Sequence, residues 1–432
     1  MADIAPFRAY RYDGQRVRPE AVLTQPYDKI SPKMQDGYYA ASPYNLVRII
    51  LGKTEPSDTD SSNVYTRAAA NFGQWRQEGV LKQDAEPSIY AYSQTFTAPG
   101  RTDEHVRRGF IAAGRIEDYA KQVVFRHEYT LAKPKADRLN LLRATQAHFG
   151  QIFVVYSDPS QQVEASLPWD SQPTTELRDE YGVVHRLWKV SDPDLIERVR
   201  NAMADKKLII ADGHHRYETA LNYRNERRAS DPSAGPDAPF ERVMMTFVNM
   251  DAPGLLILPT HRVVSGLPGF EVGEFVRQAR EFFFFRDITS EFAPDKVQEF
   301  LTRDDGYDLR MIAVTGRQQF LLSSKYEWAE GSLPEFSERQ RQLDVVQLHK
   351  LLLERVLGMS EEDIREQKHL KYIRESAEAI DMVQKGADIA FIMNPVRQEQ
   401  VRDIAFGGEV LPQKSTDYYP KMLSGLTIYS LA

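Results

Sequence analysis

The chain has no cysteine among its 432 residues. This absence excludes disulfides, thiolate metal sites, iron–sulfur clusters and cysteine nucleophiles, and it fits a reducing cytoplasm. Basic residues are not in excess either, since 55 Lys and Arg stand against 62 Asp and Glu, for a net charge of −7. Proteins that coat nucleic acid or membranes carry the opposite balance, so we expect neither as a partner.

Long apolar runs are also missing. No stretch approaches the roughly 18 uninterrupted apolar residues of a membrane-spanning helix, and residues 1–21 lack the apolar centre of a secretory signal peptide. Hydrophobic residues nevertheless make up 42% of the chain, enough to build sizeable cores. We therefore predict a cytoplasmic globular protein with an α+β or mixed α/β fold, because short β-branched runs alternate with stretches of helical periodicity.

The most informative segment, Lys207–Tyr223, reads KLIIADGHHRYETALNY. Its apolar run Leu208–Ile210 predicts a buried strand, Asp212 and Gly213 predict a tight turn, and helical periodicity begins near the two histidines. A strand–turn–helix of this kind directs backbone N–H groups and the positive end of a helix at one point. The pattern indicates a site for a phosphate or another anion.

Polar side chains crowd the same turn. His214, His215 and Arg216 are the donors that a phosphate or its transition state requires, and Gly213 permits a close backbone approach. Asp212 fits three roles, as a helix cap, a metal ligand or a base. A purely structural reading, in which the aspartate caps the helix and the histidines fill polar space, stays open.

Three further segments carry candidate ligands. HEYTLAKPKADR, residues 127–138, contributes Lys133 and Arg138 as phosphate ligands and Glu128 as a Mg²⁺ ligand or proton acceptor. Lys414, Ser415 and Thr416 combine an ammonium with two hydroxyls, and His261 and Arg262 follow an apolar run at a predicted strand end. Ordinary turns and solvated loops explain each segment equally well.

The pattern of elements changes after Pro268. We predict an N-terminal α/β lobe over residues 1–265 that carries the DGHHR turn, and a C-terminal α/β lobe over residues 266–432. We expect the C-terminal tail, residues 409–426, to return to the site. Within the second lobe, Glu271–Phe284 predicts an amphipathic helix that enters an aromatic run, and Leu309–Thr315 and Gln318–Ser323 predict a strand pair around Gly316.

Six motifs occur in order along nearly the whole chain: PYDKI, SPYNLVRI, HEYTLAKPKADR, IIADGHHRYETAL, GLLILPTHR and LPQKSTDYYPKMLSGL. As an ordered set they resemble the family catalogued as domain of unknown function 1015. The family usually has Met where Leu411 stands, an apolar exchange of similar volume. This resemblance implies membership of a family without an assigned activity.

The DGHHR turn is also similar to the phosphate-binding turn of ParB and sulfiredoxin-like domains, a superfamily that includes free-serine kinases. That resemblance implies a ParB/sulfiredoxin-like nucleotide-binding core with large insertions. It further implies that Gly213, His214, His215 and Arg216 bind nucleotide phosphates, while Asp212 assists the metal or the acceptor hydroxyl. Sulfiredoxin chemistry itself requires a cysteine at this turn, so it is excluded.

We therefore predict a nucleotide-dependent phosphotransferase, a small-molecule kinase that acts at the DGHHR turn. By analogy it would use ATP or ADP with Mg²⁺, held by Asp212 and Glu128, and its partners would be the nucleotide and a small-molecule substrate. Two alternatives stay open: a metal-dependent phosphohydrolase with Asp212 and histidines as ligands, and a non-enzymatic, ParB-like nucleotide-binding regulator. The sequence names neither the acceptor nor the oligomeric state.

Overall fold

The computed structural model describes residues 1–128 and 132–432, which form two compact units. The first unit comprises Met1–Arg126, Thr130–Leu255 and Pro420–Ala432, and the second comprises His127–Tyr129 and Leu256–Tyr419. Both units are built from separate stretches of chain, whereas the lobes predicted as residues 1–265 and 266–432 are contiguous. The C-terminal segment belongs to the first unit, with the DGHHR turn.

A nine-stranded mixed sheet is the centre of the first unit. Its strands follow the order Val124–Phe125, Leu208–Asp212, Ile152–Tyr156, Arg242–Asn249, Glu104–Arg115, Ile89–Thr97, Val184–Val190 and Thr175–Arg178, with Ile4–Ala5 paired to Glu104–Arg115. Two of these pairings are parallel, Leu208–Asp212 with Val124–Phe125 and Ile152–Tyr156 with Arg242–Asn249, and the others are antiparallel. The central strands Ile152–Tyr156 and Arg242–Asn249 are buried along their whole length, and most of their residues are apolar, as expected for strands that are covered on both faces.

Helices and short strand pairs surround this sheet. The helices are Pro19–Val22, Pro32–Ala41, Val47–Ile50, Val64–Gln77, Ala132–Thr145, Gln162–Ala165, Pro193–Met203 and His214–Ser230, with 3₁₀ turns at Tyr27–Lys29, Tyr119–Lys121 and Pro239–Glu241. Two small sheets pair Tyr10–Tyr12 with Leu81–Gln83 and Ala147–His148 with Tyr429–Ser430. The last pairing ties the C-terminus into the first unit.

The second unit is built on a six-stranded antiparallel sheet. Its strands follow the order Phe284–Asp287, Gln319–Ser324, Leu309–Val314, Ile389–Met393, His261–Val264 and Leu370–Ile373. A separate pair joins Leu256–Leu258 to Asp417–Tyr419. Its helices are Val272–Ala279, Val297–Leu301, Tyr326–Ser332, Glu338–Arg341, Asp344–Gln347, Glu361–Arg365, Ser376–Gln384 and Gln398–Phe406, with a 3₁₀ turn at Pro294–Lys296 and a π-helical stretch at Leu348–Val356.

The predicted mixed α/β fold is confirmed. The strand pair expected around Gly316 is present, as Leu309–Val314 against Gln319–Ser324. The helix expected to run to Phe284 ends at Ala279, and Phe284 begins a strand. Within residues 1–128 and 132–432, no helix combines the length and the apolar character needed to cross a bilayer.

Candidate anion site at the DGHHR turn

The DGHHR turn joins the strand Leu208–Asp212 to the helix His214–Ser230, as the sequence predicts. Against the neighbouring strand, Ile210 pairs with Val154 and Asp212 with Phe153, so Ala211 is an extra residue that forms a β-bulge. Bulges redirect the side chains that follow them and are common beside functional sites. Here the bulge sets the orientation of Asp212 just before the helix begins.

Gly213 caps the helix in a conformation that favours glycine. Its φ of +92° lies in the left-handed region, and its carbonyl accepts the Tyr217 N–H at 2.9 Å. A Cβ added at this position would lie 3.0 Å from Nη2 and 3.1 Å from Cζ of Arg216. The glycine therefore lets the guanidinium lie directly against the turn, where the first amides of the helix point outwards.

Asp212 lies between two cations. Its Oδ2 accepts from Nη2 of Arg216 at 2.7 Å, and its Oδ1 accepts from Nζ of Lys421 at 3.0 Å. Burial alone would raise the pKa of Asp212, but Lys421, Arg216 and the nearby Lys29 hold it well below its ordinary value. The carboxylate is therefore ionised at every physiological pH and fixes both cations at the helix start.

A buried polar network holds Lys421 in place. The amide of Gln94 donates to the Lys421 carbonyl at 2.9 Å, and its oxygen accepts from Nε of Arg107 at 3.1 Å. Arg107, only 2% exposed, also donates to the Pro420 carbonyl and lies over the Phe153 ring at 4.9 Å. Burial lowers the pKa of Arg107 to about 10, which leaves it charged at neutral pH.

A cavity opens beside this ion cluster, with about 590 Å³ of empty space including its open mouth. Arg216 and Arg138 both line it, so the structure brings these two predicted phosphate ligands together. Arg138 donates to the Ile50 carbonyl at 2.6 Å and stacks 4.1 Å from the centre of the Tyr27 ring. Thr219 contributes a buried hydroxyl that has no hydrogen-bond partner among the described residues.

His214 and His215 lie at the start of the helix in the first unit. The other predicted ligands whose side chains are described lie in the second unit, where Glu128 organises a cluster. Its Oε1 accepts from the backbone N–H groups of Ser415 and Thr416 at 3.1 and 3.3 Å and from the Thr416 hydroxyl at 3.3 Å. The same hydroxyl lies 2.8 Å from Nε2 of His127. Lys414 is exposed and adopts a positive φ of 56°.

His261 and Arg262 are buried beside that cluster. His261 Nδ1 accepts the Met393 N–H at 3.2 Å, and burial together with Arg262 lowers the histidine pKa to about 4, so the ring is neutral at pH 7. Arg262 donates to the Lys414 carbonyl at 3.3 Å and lies over the Tyr372 ring at 5.2 Å. It stays a prediction that His261 and Arg262 contact phosphate, and so does the expectation that these segments form one site with the DGHHR turn.

A family model described as "Protein of unknown function (DUF1015)" matches residues 4–346. The chain belongs to this family. The match covers the DGHHR turn of the DUF1015 chain and the strand pair of its second unit, and the predicted membership is confirmed. No curated protein matches the sequence.

Solved structures to which the chain is similar include a conserved hypothetical protein from Pyrococcus furiosus, at 15% identity, 68% coverage of this chain, 87% of that chain and a TM-score of 0.32. A free serine kinase in complex with AMP has 15% identity, coverages of 70% and 89%, and a TM-score of 0.33. SbnI with a C-terminal truncation from Staphylococcus aureus has 9% identity, coverages of 73% and 87%, and a TM-score of 0.37. These likenesses are too distant to carry an argument about activity.

The side chains at the DGHHR turn fit an anion better than a metal ion. Each Asp212 oxygen already faces a cation, and in the part of the chain that the structure describes no group of three or more His, Asp or Glu side chains is arranged to hold a metal. Buried amide atoms of Gln151, whose backbone carbonyl accepts from Arg216, have no described hydrogen-bond partner. Such orphaned groups suit a polar ligand. The Mg²⁺ roles of Asp212 and Glu128 stay predictions.

Sequence reasoning missed Lys421, Gln94 and Arg107. Lys421 contacts Asp212 across 209 residues of sequence, and a single lysine between Pro420 and Met422 has no spacing that connects it with the turn. The one signal in the sequence was that Lys421 lies inside the motif LPQKSTDYYPKMLSGL. The side chain of Lys133, predicted as a phosphate ligand, lies outside the described residues.

Proposed function

We propose that the DGHHR turn binds the phosphates of a nucleotide and that the protein is a nucleotide-dependent phosphotransferase acting on a small molecule. The observation that carries the proposal is the ion cluster of Lys421, Asp212 and Arg216 at the start of a 17-residue helix. Two cations and one carboxylate leave a net positive charge there, which the helix dipole reinforces. Phosphoryl transfer depends chiefly on such positioning and charge neutralisation.

The residues take distinct roles in this proposal. The outward-pointing amides after Gly213 and the cationic side chains Arg216 and Lys421 hold phosphate oxygens, while His214 and His215 add imidazole donors at the first turn. Asp212 acts as a positioning residue, because a carboxylate with so low a pKa is a weak base and both of its oxygens are occupied. The acceptor-activating role predicted for Glu128 belongs to the second unit and stays a prediction.

The cavity beside the cluster suits the remainder of a nucleotide. Its walls combine apolar side chains such as Leu141 and Phe149 with the guanidinium of Arg138 and the hydroxyl of Thr219. Nucleotide and small-molecule sites in general join apolar walls to a few directed polar groups. Mg²⁺ bound to the nucleotide would neutralise part of the phosphate charge, and the protein's own cations supply the rest.

The direct test follows ³¹P resonances while the protein is incubated with Mg²⁺, with ATP or ADP, and with pooled hydroxylated metabolites. We expect a new phosphoester signal with wild type and with Arg277→Gln, which alters an exposed arginine of the second unit that pairs with Glu274 on its own helix. We expect at least a tenfold slower reaction with Arg216→Gln. A product formed equally fast by Arg216→Gln contradicts the proposed site, and nucleotide binding without any product contradicts a phosphotransferase.

A further inference from the structure

The second unit contains a polar cavity of its own, distinct from the DGHHR site. Its empty space is about 920 Å³ including the open mouth, larger than a metabolite of amino-acid size requires. The start of the helix Asp344–Gln347, the end of the strand Ile389–Met393 and the start of the helix Gln398–Phe406 meet at its wall. The cavity therefore lies where several backbone ends and side chains converge.

Asp344 and Arg397 carry opposite charges that face this cavity without neutralising one another, and Asp308 adds a second carboxylate to the wall. Asp344 and Arg397 both line it, yet among the described residues neither lies within 4.0 Å of an oppositely charged side chain. Arg310, which lines the same wall, does form an ion pair, with Asp305. The carboxylate and the guanidinium are thus close enough to share a cavity and too far apart to form an ion pair.

The raised pKa of Asp344 is that of a carboxylate without a close countercharge. Burial raises the pKa of Asp344 to about 6, although the Val345 N–H, Arg262 and Arg397 all act to lower it. The carboxylate accepts the Val345 N–H at 2.7 Å, which fixes its orientation at the helix start. A partly buried carboxylate of this kind gains free energy when a cationic group reaches it.

Amide side chains complete the wall. Gln400 accepts the Arg397 N–H at 2.9 Å, and Asn394 donates to the Leu301 carbonyl at 3.2 Å, so both amides have defined positions. Gln342 lines the same cavity. Amides that supply both donors and acceptors around separated charges are suited to a small, multiply polar ligand.

We propose that this cavity binds a small zwitterion, a free amino acid, whose ammonium group pairs with Asp344 and whose carboxylate pairs with Arg397. One ligand then satisfies both charges, and the guanidinium can bind the carboxylate through two parallel hydrogen bonds. The proposal concerns the second unit alone and is independent of the proposed phosphotransferase activity.

The test measures binding to the full chain by isothermal titration calorimetry at pH 7.5, with glycine, alanine, serine, aspartate, glutamate and lysine as probes. For alanine, ethylamine lacks the carboxylate and propionate lacks the ammonium group. We expect at least one amino acid to bind, and ethylamine and propionate to bind at least tenfold more weakly than alanine if alanine is among the ligands. For another ligand the amine and the acid of the same side chain serve as the two analogues.

Asp344→Asn and Arg397→Gln keep the size of each side chain and remove its charge. We expect each variant to raise the Kd at least tenfold, while Arg277→Gln leaves it unchanged. The proposal is overturned if no amino acid binds, if the variants bind as tightly as wild type, or if a singly charged analogue binds as tightly as the zwitterion. The analogue comparison uses wild type only, so it decides the matter even if a variant fails to fold.

Discussion

Two aspartates at helix starts, Asp212 in the first unit and Asp344 in the second, have opposite electrostatic surroundings. Asp212 is held by Arg216 and Lys421, and its pKa lies well below the ordinary value. Asp344 has a backbone N–H as its partner, and burial raises its pKa to about 6. The first carboxylate is part of an ion cluster with two cations, whereas the second has no oppositely charged side chain within 4.0 Å among the described residues. We propose that the same residue type serves an anion site in one unit and a cation-accepting site in the other.

Among the variants that test this comparison, Asp212→Asn should have the largest effect on the free energy of unfolding. The substitution preserves volume but leaves Arg216 and Lys421 facing a neutral amide, so we expect the free energy of unfolding to fall by about 3 kcal/mol. Because the folded-state pKa is lowered, the stabilisation is present above the unfolded pKa of Asp and disappears only as the pH falls towards the lowered value. Urea denaturation between pH 5 and 8 should show a constant loss. A loss below about 1 kcal/mol would mean that the cluster contributes little.

Gln94→Leu tests whether the buried network positions Lys421. The variant leaves Arg107 and the Lys421 carbonyl each short of a partner, and we expect a loss of about 2 kcal/mol by urea denaturation. Gln74→Leu is the matched control, since that exposed amide donates to Glu78, the residue that caps the end of its helix. Equal stability of the two variants would show that the network is unimportant.

Gly213→Ala tests the backbone of the anion site. Alanine at a φ of +92° is strained, and its Cβ would press on Arg216, so we expect a loss of about 1–2 kcal/mol together with weaker nucleotide binding. Gly235→Ala is the control, because it lies at an ordinary φ with nothing within 4 Å of the added Cβ. Thermal melting of the pair measures the difference, and indistinguishable melting temperatures would argue against strain at the turn.

Asp344→Asn should have the smallest effect on the free energy of unfolding, and it should stabilise the protein where the other variants destabilise it. Since the folded-state pKa is raised, the ionisation of Asp344 costs stability: the cost is absent below the unfolded pKa, grows between that value and about 6, and is complete above about 6. We expect the variant to be more stable than wild type by about 1 kcal/mol at pH 7.5, with the gain shrinking towards pH 4. Asp381→Asn, at an exposed ion pair with Lys385, should change little. A destabilised Asp344→Asn would show that the carboxylate already has its countercharge.

Local sequence patterns predicted much of the fold. The apolar run before Asp212, the glycine and the periodicity after it correctly predicted the strand, turn and helix of the candidate site, because all three are determined by neighbouring residues. The paired strands around Gly316 were predicted for the same reason. The end of the helix at Ala279 was missed, since the aromatic run Phe282–Phe285 is apolar in either conformation and tertiary pairing with Gln319–Ser324 decides it.

Long-range contacts were not predictable in this way. The partners of Asp212 include a lysine 209 residues away, and the network of Gln94 and Arg107 reaches Pro420 and Lys421 from two sheet strands. Arg138 was proposed as a ligand from its charge alone. That it lines the same cavity as Arg216 depends on how the helix Ala132–Thr145 packs, which no local pattern in the sequence predicts. Residue type identified candidates, and packing determined which of them meet.

We propose that Lys421 and Arg216 form an anion site for nucleotide phosphates. The most direct test of this proposal is the Kd of ATP and ADP for Lys421→Met compared with Lys385→Met, an exposed lysine of the second unit, in proteins whose folding is checked by circular dichroism. We predict at least a tenfold weaker Kd for Lys421→Met and an unchanged Kd for Lys385→Met. Equal affinities of the two variants, or no nucleotide binding by wild type, would contradict the account.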